Sequence, residues 1–563
     1  MEFDLKIVGG TIVDGSGAPG YRGEVGIKDG RIVAVAARVE GAARQTIDAA
    51  DRVVAPGFVD IHTHYDAQIM WDRMLTISPW HGVTTVVLGN CGFGVAPTRR
   101  EHRPLILQTL EKVEGMSLES LQQGLGQDWG FETFPQYLDR IEQQGSAINI
   151  GALIGHTPLR LYVMGESATE REASDEEVAT MRGLVKEALQ AGALGFATSK
   201  LAAHVGFEGR PVPSRAAGFD EMLSLAGAVR DAGTGMIQST LGPGFLLEQM
   251  QQMAEAANAT VSWTALLAGS AFGKSSHQAQ LARSLEMIEQ GAHVYPQVSP
   301  RPLNFEFQFK APFILEQMSL FKPVSAADFE GKCRIYRDPE FRAAFRDRFD
   351  NGWPSLTQAF GLIVIAECAA APQFEERLLV DCAAERGVHP VDLALDLALQ
   401  TGLEARFRMP VANYDEKEVA QLLVQPDMVL GLSDAGAHAS QLCDACQATY
   451  LLGHWVREKG TLSLETAVRM LSSRPAEVFG IKDRGRLAAG LAADVVVFDP
   501  RTVDAGPLER VRDMPGGADR LISRAHGIDA VIVNGVLLRQ NGQDAIDPAK
   551  SLPGRLLRNG AAA

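Results

Sequence analysis

Hydrophobic and polar positions follow two different patterns along the chain. Over residues 1–56, short β-branched runs are separated by Gly9-Gly10, Gly15-Ser16-Gly17 and Asp29-Gly30, which is typical of β-hairpins. From residue 57 onward, short apolar runs alternate with amphipathic stretches, and hairpin-like composition returns after residue 480. The pattern predicts a small β segment at each chain end and a larger α/β body between them.

Eight apolar runs in this body are predicted β-strands: Phe58–Ile61, Thr84–Gly89, Ile148–Gly155, Leu194–Thr198, Thr234–Gln238, Thr260–Thr264, Ala292–Pro296 and Met428–Ser433. Amphipathic stretches such as Ser174–Gln190, which opens with Ser-Asp-Glu-Glu, are predicted helices between them. Eight such units over about 420 residues predict a (β/α)8 TIM barrel, an α/β fold whose chemistry lies at the C-terminal ends of its strands.

The same pattern predicts the domain organisation. Residues 1–56 and 481–563 are expected to pair into one composite β-sandwich, because each alone is too small to bury a face. Residues 57–480 are expected to form the barrel. The gap between its seventh and eighth strands is longer than one crossover needs, which predicts an insertion at about 301–360. Its aromatic residues fit either a cover over the barrel mouth or the core of a separate subdomain: Phe305, Phe307, Phe309, Phe313, Phe321 and Trp353.

Composition and charge restrict the partners. The 563 residues carry a formal net charge of −16, which disfavours nucleic acid and anionic membranes and favours a small-molecule substrate. No apolar run reaches the roughly 18 residues of a membrane span, and no export signal is recognisable at the N-terminus. Six scattered cysteines, with Cys443 and Cys446 as a lone structural pair, fit a reducing cytoplasm better than a disulfide framework. The sequence leaves open whether the chain forms a homo-oligomer.

Two histidines follow the first predicted strand. His62 and His64 stand two residues apart in Pro-Gly-Phe-Val-Asp-Ile-His-Thr-His, so their side chains point to the same face. A single histidine there would most simply be an ordinary strand residue. Two converging neutral imidazoles instead favour ligation of a divalent metal ion.

Three motifs together resemble the amidohydrolase superfamily: Pro56–His64, Ser433-Asp434 after the last strand, and the stretch from Gly485 to Phe498. Within that superfamily, Gly-Asn-Cys-Gly-Phe-Gly-Val-Ala-Pro around Cys91 is similar to the branch of N-acyl-D-amino-acid deacylases, or D-aminoacylases. The resemblance covers nearly the whole chain. It implies a barrel with a composite β-sandwich and zinc-dependent hydrolysis of an amide or cyclic amide.

The resemblance also implies roles for individual residues. His62 and His64 match the first-strand metal ligands, and Cys91 matches the ligating cysteine of the deacylase branch. Asp434 matches the last-strand aspartate that ligates metal and serves as general base. A zinc ion would lower the pKa of its bound water. Asp434 would take the proton as the hydroxide attacks the carbonyl and return it to the leaving nitrogen.

The chain departs from the family at the fifth and sixth strands, where histidine ligands are common. The residues there are Gln238-Ser239-Thr240 and Ser262-Trp263-Thr264. One zinc ion is therefore expected rather than two, unless replacement ligands come from elsewhere or catalysis has been lost. The remaining candidates for metal or substrate contact are His156, His204, His438, Lys200, Arg160 and Arg215. Lys200 follows the fourth strand, where other amidohydrolases carry a carbamylated lysine, and all three basic residues could bind a substrate carboxylate.

Three functional hypotheses remain at this point. The first is an N-acyl-D-amino-acid deacylase-like enzyme. The second keeps the barrel and the metal but hydrolyses a cyclic amide, a carbamate or an ester. The third is a catalytically silent barrel that binds a ligand or a partner.

Overall fold

The computed structural model describes residues 2–269, 271–272, 275–312, 314–352 and 357–562. The chain divides into two compact units. Unit 1 contains Met1–Arg301, Ala420–Ala439 and Cys443–Ala563, and unit 2 contains Pro302–Val419 and Ser440–Leu442. Phe313 and Trp353, two of the aromatic residues of the predicted insertion, lie outside the described residues.

The described β-strands are β1 (Phe3–Ile12), β2 (Tyr21–Lys28), β3 (Arg31–Ala36), β4 (Ala43–Asp48), β5 (Val53–Pro56), β6 (Phe58–Asp60), β7 (Val83–Leu88), β8 (Asn149–Gly155), β9 (Gly195–Ser199), β10 (Met236–Thr240), β11 (Val261–Thr264), β12 (Ala271–Phe272), β13 (Ser275–Ser276), β14 (Val294–Val298), β15 (Leu303–Gln308), β16 (Val364–Glu367), β17 (Arg377–Leu378), β18 (Arg406–Ala412), β19 (Val429–Leu430), β20 (Val495–Phe498), β21 (Asp504–Val511), β22 (Arg520–His526), β23 (Ile528–Val533), β24 (Val536–Gln540), β25 (Gln543–Asp544), β26 (Leu557–Arg558) and β27 (Ala561–Ala562).

The described α-helices are α1 (Arg103–Glu114), α2 (Leu118–Leu125), α3 (Phe134–Gln144), α4 (His156–Met164), α5 (Asp175–Gln190), α6 (Phe219–Ala232), α7 (Leu247–Ala257), α8 (His277–Glu289), α9 (Lys322–Ala326), α10 (Phe329–Arg337), α11 (Pro339–Asn351), α12 (Thr357–Phe360), α13 (Leu379–Arg386), α14 (Pro390–Gln400), α15 (Glu416–Leu423), α16 (Gln447–Tyr450), α17 (Leu464–Leu471) and α18 (Ser473–Val478). A π-helix follows α16 at Leu451–Glu458. No helix of the described residues is both long enough and apolar enough to cross a membrane.

The predicted (β/α)8 barrel is confirmed. Its sheet has the strand order β6-β7-β8-β9-β10-β11-β14-β19, which is the order along the chain, and the pairs are parallel. A parallel bridge between Thr63 and Ala435 joins the segments that follow the first and last strands. All eight predicted strands are present, and the fifth and seventh are displaced to Met236–Thr240 and Val294–Val298. The C-terminal ends of the first and last barrel strands are therefore adjacent, so residues that follow both strands can contribute to one site.

A nine-stranded sheet combines both chain ends. Its order is β25-β24-β23-β20-β5-β1-β2-β3, with β4 paired to β1, so the strands of the two chain ends form two halves that meet at the β20–β5 pair and share one apolar core. The hairpin turn predicted at Asp29-Gly30 has positive φ angles of 50° and 75°, as a type I′ turn needs. The separation of two strands at Gly9-Gly10 was a wrong prediction. β1 runs through both glycines with a shift of register between Ile7 and Gly10.

Asp494 ties this sheet to the barrel. Its buried carboxylate accepts hydrogen bonds from the Asn149 side chain of β8 (2.8 Å) and from the Arg484 guanidinium (2.6 Å). The backbone N–H of Asn534 donates to its other oxygen at 2.7 Å. Asp494, which directly precedes β20, therefore has a structural role, because a buried carboxylate is stable only when its oxygens are paired.

Unit 2 has a sheet and an apolar core of its own. The sheet has the order β15-β18-β16-β17, and helices α9 to α14 belong to the same unit. Phe307, Phe309 and Phe321 are buried in its core, and Phe305 packs against it. These phenylalanines therefore supply a core within unit 2. The unit also extends to Val419, well past the end of the insertion predicted at 301–360, because β16, β17, β18, α13 and α14 complete it.

Candidate metal centre

Four predicted site residues lie together at the C-terminal ends of the barrel strands. The ligand atoms of His62, His64 and Cys91 are all within 4.8 Å of one another. Nε2 of His62 is 3.5 Å from Sγ of Cys91 and 3.3 Å from Oδ1 of Asp434. Nε2 of His64 is 3.7 Å from the same carboxylate oxygen. The residues after the first, second and last barrel strands thus converge on one point.

The backbone at two of these residues has an unusual conformation. Cys91 and Asp434 have φ angles of 56° and 44°, in the left-handed region that non-glycine residues rarely adopt. Gly89, which starts the turn before Cys91, must be a glycine, since a Cβ atom there would lie 2.1 Å from the carbonyl oxygen of Leu153. Strain of this kind is concentrated at functional sites.

Gln297 of β14 fixes the orientation of His62. Its Oε1 lies 2.8 Å from Nδ1 of His62, and its own amide donates to Oγ of Ser262 at 3.1 Å. Because Oε1 can only accept, Nδ1 carries the proton and the lone pair of Nε2 points to Cys91 and Asp434. Burial, together with the charge of His64, lowers the pKa of His62 to about 3. His62 is therefore neutral, with the lone pair of Nε2 available to a metal ion.

Glu114 is a functional residue that the sequence did not reveal. It ends helix α1, and its Oε1 lies 3.1 Å from Nδ1 of His64, with both side chains buried. Burial opposes a charge on His64, but the Glu114 carboxylate and Cys91 outweigh it and raise the pKa of His64 well above its ordinary value. The surroundings of His64 thus favour a positive charge. A glutamate at the end of an amphipathic helix carries no motif that could have identified it.

The Asp434 carboxylate is partly accessible to solvent and has a shifted pKa. Its side chain is 20% exposed, the largest fraction among the residues that converge here. Burial raises the pKa of Asp434 to about 6, against the lowering effect of the His64 charge. A carboxylate with a pKa in this range can both accept and donate a proton near neutral pH.

Polar uncharged residues occupy the ends of the fifth and sixth strands. Oε1 of Gln238 accepts the backbone N–H of Cys91 at 2.7 Å. The hydroxyls of Thr240 and Thr264 lie 2.9 Å apart and form a hydrogen bond. These residues hold Cys91 and one another, and they offer no imidazole for a second ion.

His204 and His438 lie beside the cluster. The His204 ring contacts Phe93 edge-on at 4.9 Å between centroids, and Phe93 in turn lies 6.3 Å from the His64 ring. Nδ1 of His204 is 2.7 Å from Oγ of Ser199. Burial and the charges of His64 and His438 lower the pKa of His204 to about 3. The backbone N–H of His438 donates to the carbonyl of Glu114.

The structure does not bring His156, Arg160 or Lys200 to the cluster. Both ring nitrogens of His156 are engaged, with the Thr198 hydroxyl and the Glu221 carboxylate, each at 2.8 Å. Arg160 is fully buried and also pairs with Glu221. Lys200 donates to the backbone carbonyls of Arg215 and Ala217. Its ammonium group is thus bound by backbone carbonyls away from the cluster.

Comparison with known proteins gives a consistent result. A model of the "Amidohydrolase family" matches residues 45–538. The chain is 30% identical over 539 residues to a D-aminoacylase of Alcaligenes xylosoxydans xylosoxydans, a match that covers 95% of this chain and 94% of that protein.

Two solved structures are similar over almost the full length. One is a D-aminoacylase with a binuclear metal centre, in which one metal ion activates the enzyme and the second attenuates it. It is 26% identical, with a TM-score of 0.67 over 99% of this chain and 100% of that one. The other is an N-acyl-D-glutamate deacylase from Bordetella bronchiseptica, complexed with zinc and a phosphonate mimic of the tetrahedral intermediate. It is 26% identical, with a TM-score of 0.66 and the same coverage.

Proposed function

Because the chain belongs to the amidohydrolase family, we propose that it is a zinc-dependent deacylase of N-acyl-D-amino acids. Membership of the family and its deacylase relatives make it a hydrolase of carbon–nitrogen bonds other than peptide bonds. The finer assignment rests on two supports: the names of the relatives matched over nearly the whole chain, and the donor atoms at the strand ends.

Three of the distances among the donor atoms fit a tetrahedral zinc ion. Bonds of about 2.0–2.3 Å to nitrogen, oxygen and sulfur place tetrahedral ligands roughly 3.3–3.8 Å apart. The separations from His62 to Cys91 and from both histidines to Asp434 are 3.5, 3.3 and 3.7 Å. This agreement is the observation that carries the proposal. The raised pKa of His64 points the same way, because acidic surroundings that favour a proton also favour a cation.

One ion per chain is the stoichiometry that the donors support. His62, His64 and Cys91 would supply two imidazoles and a thiolate, which would leave the fourth position of a tetrahedral ion open beside the Asp434 carboxylate. The Gln238 amide oxygen and the hydroxyls of Thr240 and Thr264, at the ends of the fifth and sixth strands, are already bonded to protein groups. We therefore assign catalysis to a single zinc ion.

When bound, zinc supplies a Lewis acid that polarises a carbonyl and lowers the pKa of water towards neutrality. Asp434, the exposed member of the cluster, accepts the proton of the attacking water and returns it to the leaving nitrogen. Gln297 holds His62 as the Nδ1–H tautomer, and the Glu114 carboxylate lies 3.1 Å from Nδ1 of His64.

Substitution of Asp434 tests this role. Asp434→Asn removes the base but leaves His62, His64 and Cys91 unchanged, so zinc content should stay near one per chain while turnover falls about 10²- to 10⁴-fold. The assay is amine release from a panel of N-acyl-D-amino acids, their L-enantiomers, cyclic amides and esters. Asp231→Asn, which removes an exposed carboxylate on the surface, is the matched control. Full turnover in Asp434→Asn, or activity only on the cyclic amides or esters, would contradict the proposal.

A further inference from the structure

Three basic side chains lie near the end of β9, and two of them are already paired. Arg160 donates to Oε1 of Glu221 at 2.6 Å and, through its other nitrogens, to the carbonyls of Ala168 and Arg171. The ammonium of Lys200 donates to two backbone carbonyls, one of them that of Arg215, at 2.7 Å. Neither cation is available to a substrate.

Arg215 is different. Its half-buried guanidinium makes one hydrogen bond, from Nη1 to the carbonyl of His204 at 3.1 Å, and pairs with no carboxylate of the described residues. Burial lowers the pKa of Arg215. The chain contains 69 acidic against 53 basic residues, so carboxylates are in excess. A desolvated guanidinium without a counter-charge is costly unless an anion binds to it.

The position of Arg215 relates it to the metal centre through His204. His204 carries the carbonyl that Arg215 binds, and its ring contacts Phe93, the neighbour of the His64 ring. Arg215 is therefore linked to the His64 ring through His204 and Phe93.

The segment that carries Arg215 is held in place before any ligand arrives. Arg215 lies in a single 3-10 turn, Pro213–Ala216. The hydroxyl of Ser214 donates to the carbonyl of Ser199 at 2.8 Å, and Lys200 binds the carbonyl of Arg215 itself. Both anchors come from the end of β9. Preorganisation of this kind lowers the entropy cost of binding an anion.

We propose that Arg215 binds a carboxylate of the substrate, with Lys200 as the positioning residue for its turn. This inference rests on the proposed function, because it assigns an anionic substrate to the same site. The planar guanidinium suits a bidentate carboxylate. That carboxylate is either the α-carboxylate of an N-acyl amino acid or the side-chain carboxylate of an acidic one.

Kinetic measurements distinguish the α-carboxylate from the side-chain carboxylate. They use three substrates: N-acetyl-D-alanine, N-acetyl-D-glutamate and N-acetyl-D-alaninamide. Arg215→Met should raise KM for the bound acid about 10- to 100-fold and leave kcat within a few fold. An α-carboxylate contact raises KM for both acids, and a side-chain contact raises it for the glutamate alone. The amide should be unaffected. Arg215→Lys should recover only part of the loss.

Arg283→Met is the matched control, since it removes an exposed arginine of helix α8 that pairs with Glu248 and Glu286. Unchanged KM for both acids in Arg215→Met, or an equal rise for the amide, would overturn the inference. If the wild-type chain hydrolyses none of the three, the proposed function fails. Calorimetric binding of N-acetyl-D-glutamate to wild type and Arg215→Met then decides separately. Equal affinity, or no binding to the wild type, would reject Arg215 as the carboxylate site.

Discussion

Replacing Gln297 by leucine should weaken zinc binding although Gln297 cannot touch the metal. Gln297 is fully buried and accepts the Nδ1 proton of His62 at 2.8 Å. Leucine has similar volume but no acceptor, so when His62 binds zinc through Nε2 its Nδ1–H has no partner. An unpaired buried donor costs about 1–3 kcal/mol.

That cost sets the expected loss of affinity. Removing the outer hydrogen-bond partner of a metal ligand typically lowers affinity about 10- to 100-fold, which is roughly 1.4–2.7 kcal/mol. The two estimates agree. In the metal-free chain the imidazole can turn towards another partner such as Asp434, 3.3 Å away, so the cost falls mainly on the bound state. We expect the dissociation constant for zinc to rise about 10- to 100-fold.

Competition with a chromophoric zinc chelator measures this constant on the metal-free chain. Gln280→Leu is a suitable control, because Gln280 is also a buried glutamine but lies on helix α8, away from the metal centre. It should change stability without changing zinc affinity. Zinc affinity within about twofold of wild type in Gln297→Leu would refute the reasoning, since the hydrogen bond would then not orient His62.

Two further predictions concern buried carboxylates. Burial would raise the pKa of Glu221, but hydrogen bonds from His156 and Arg160 hold it at about 2 against a reference value of 4.5. The ionised Glu221 carboxylate stabilises the folded state by about 3 kcal/mol above pH 4.5, and this stabilisation is lost as the pH falls towards 2. The difference in unfolding free energy between wild type and Glu221→Gln should shrink over that range, and a constant difference would contradict this. Asp494→Ala should cost about 3–5 kcal/mol in urea unfolding at pH 7, because Arg484 loses its buried partner. A cost below about 1 kcal/mol would contradict that prediction.

The barrel and the cluster at its strand ends could be predicted because each rests on a local pattern. The eight strands are short apolar runs bounded by turns, and His62, His64, Cys91 and Asp434 directly follow three of them. In a parallel barrel all such positions meet at one end. Local sequence was therefore enough to place His62 and His64 at this end, whereas Cys91 and Asp434 were identified through the resemblance to the amidohydrolase superfamily.

The partners of those residues could not be predicted in the same way. Glu114 reaches His64 from the end of a helix, and Gln297 reaches His62 from the seventh strand. Which side chains meet there depends on how the whole barrel packs. His156 shows the converse, because it follows the third strand but turns to Glu221 on helix α6. The extent of unit 2 was missed because its later strands and helices look like ordinary barrel crossovers.

Anomalous scattering at the zinc edge, from crystals of the zinc-loaded chain, tests the metal centre most directly. We expect one zinc ion per chain, bonded to Nε2 of His62 and His64 and to Sγ of Cys91, with the Asp434 carboxylate beside it. A peak elsewhere, two peaks of equal height, or no peak in protein saturated with zinc would contradict the single catalytic ion on which the proposed hydrolysis depends.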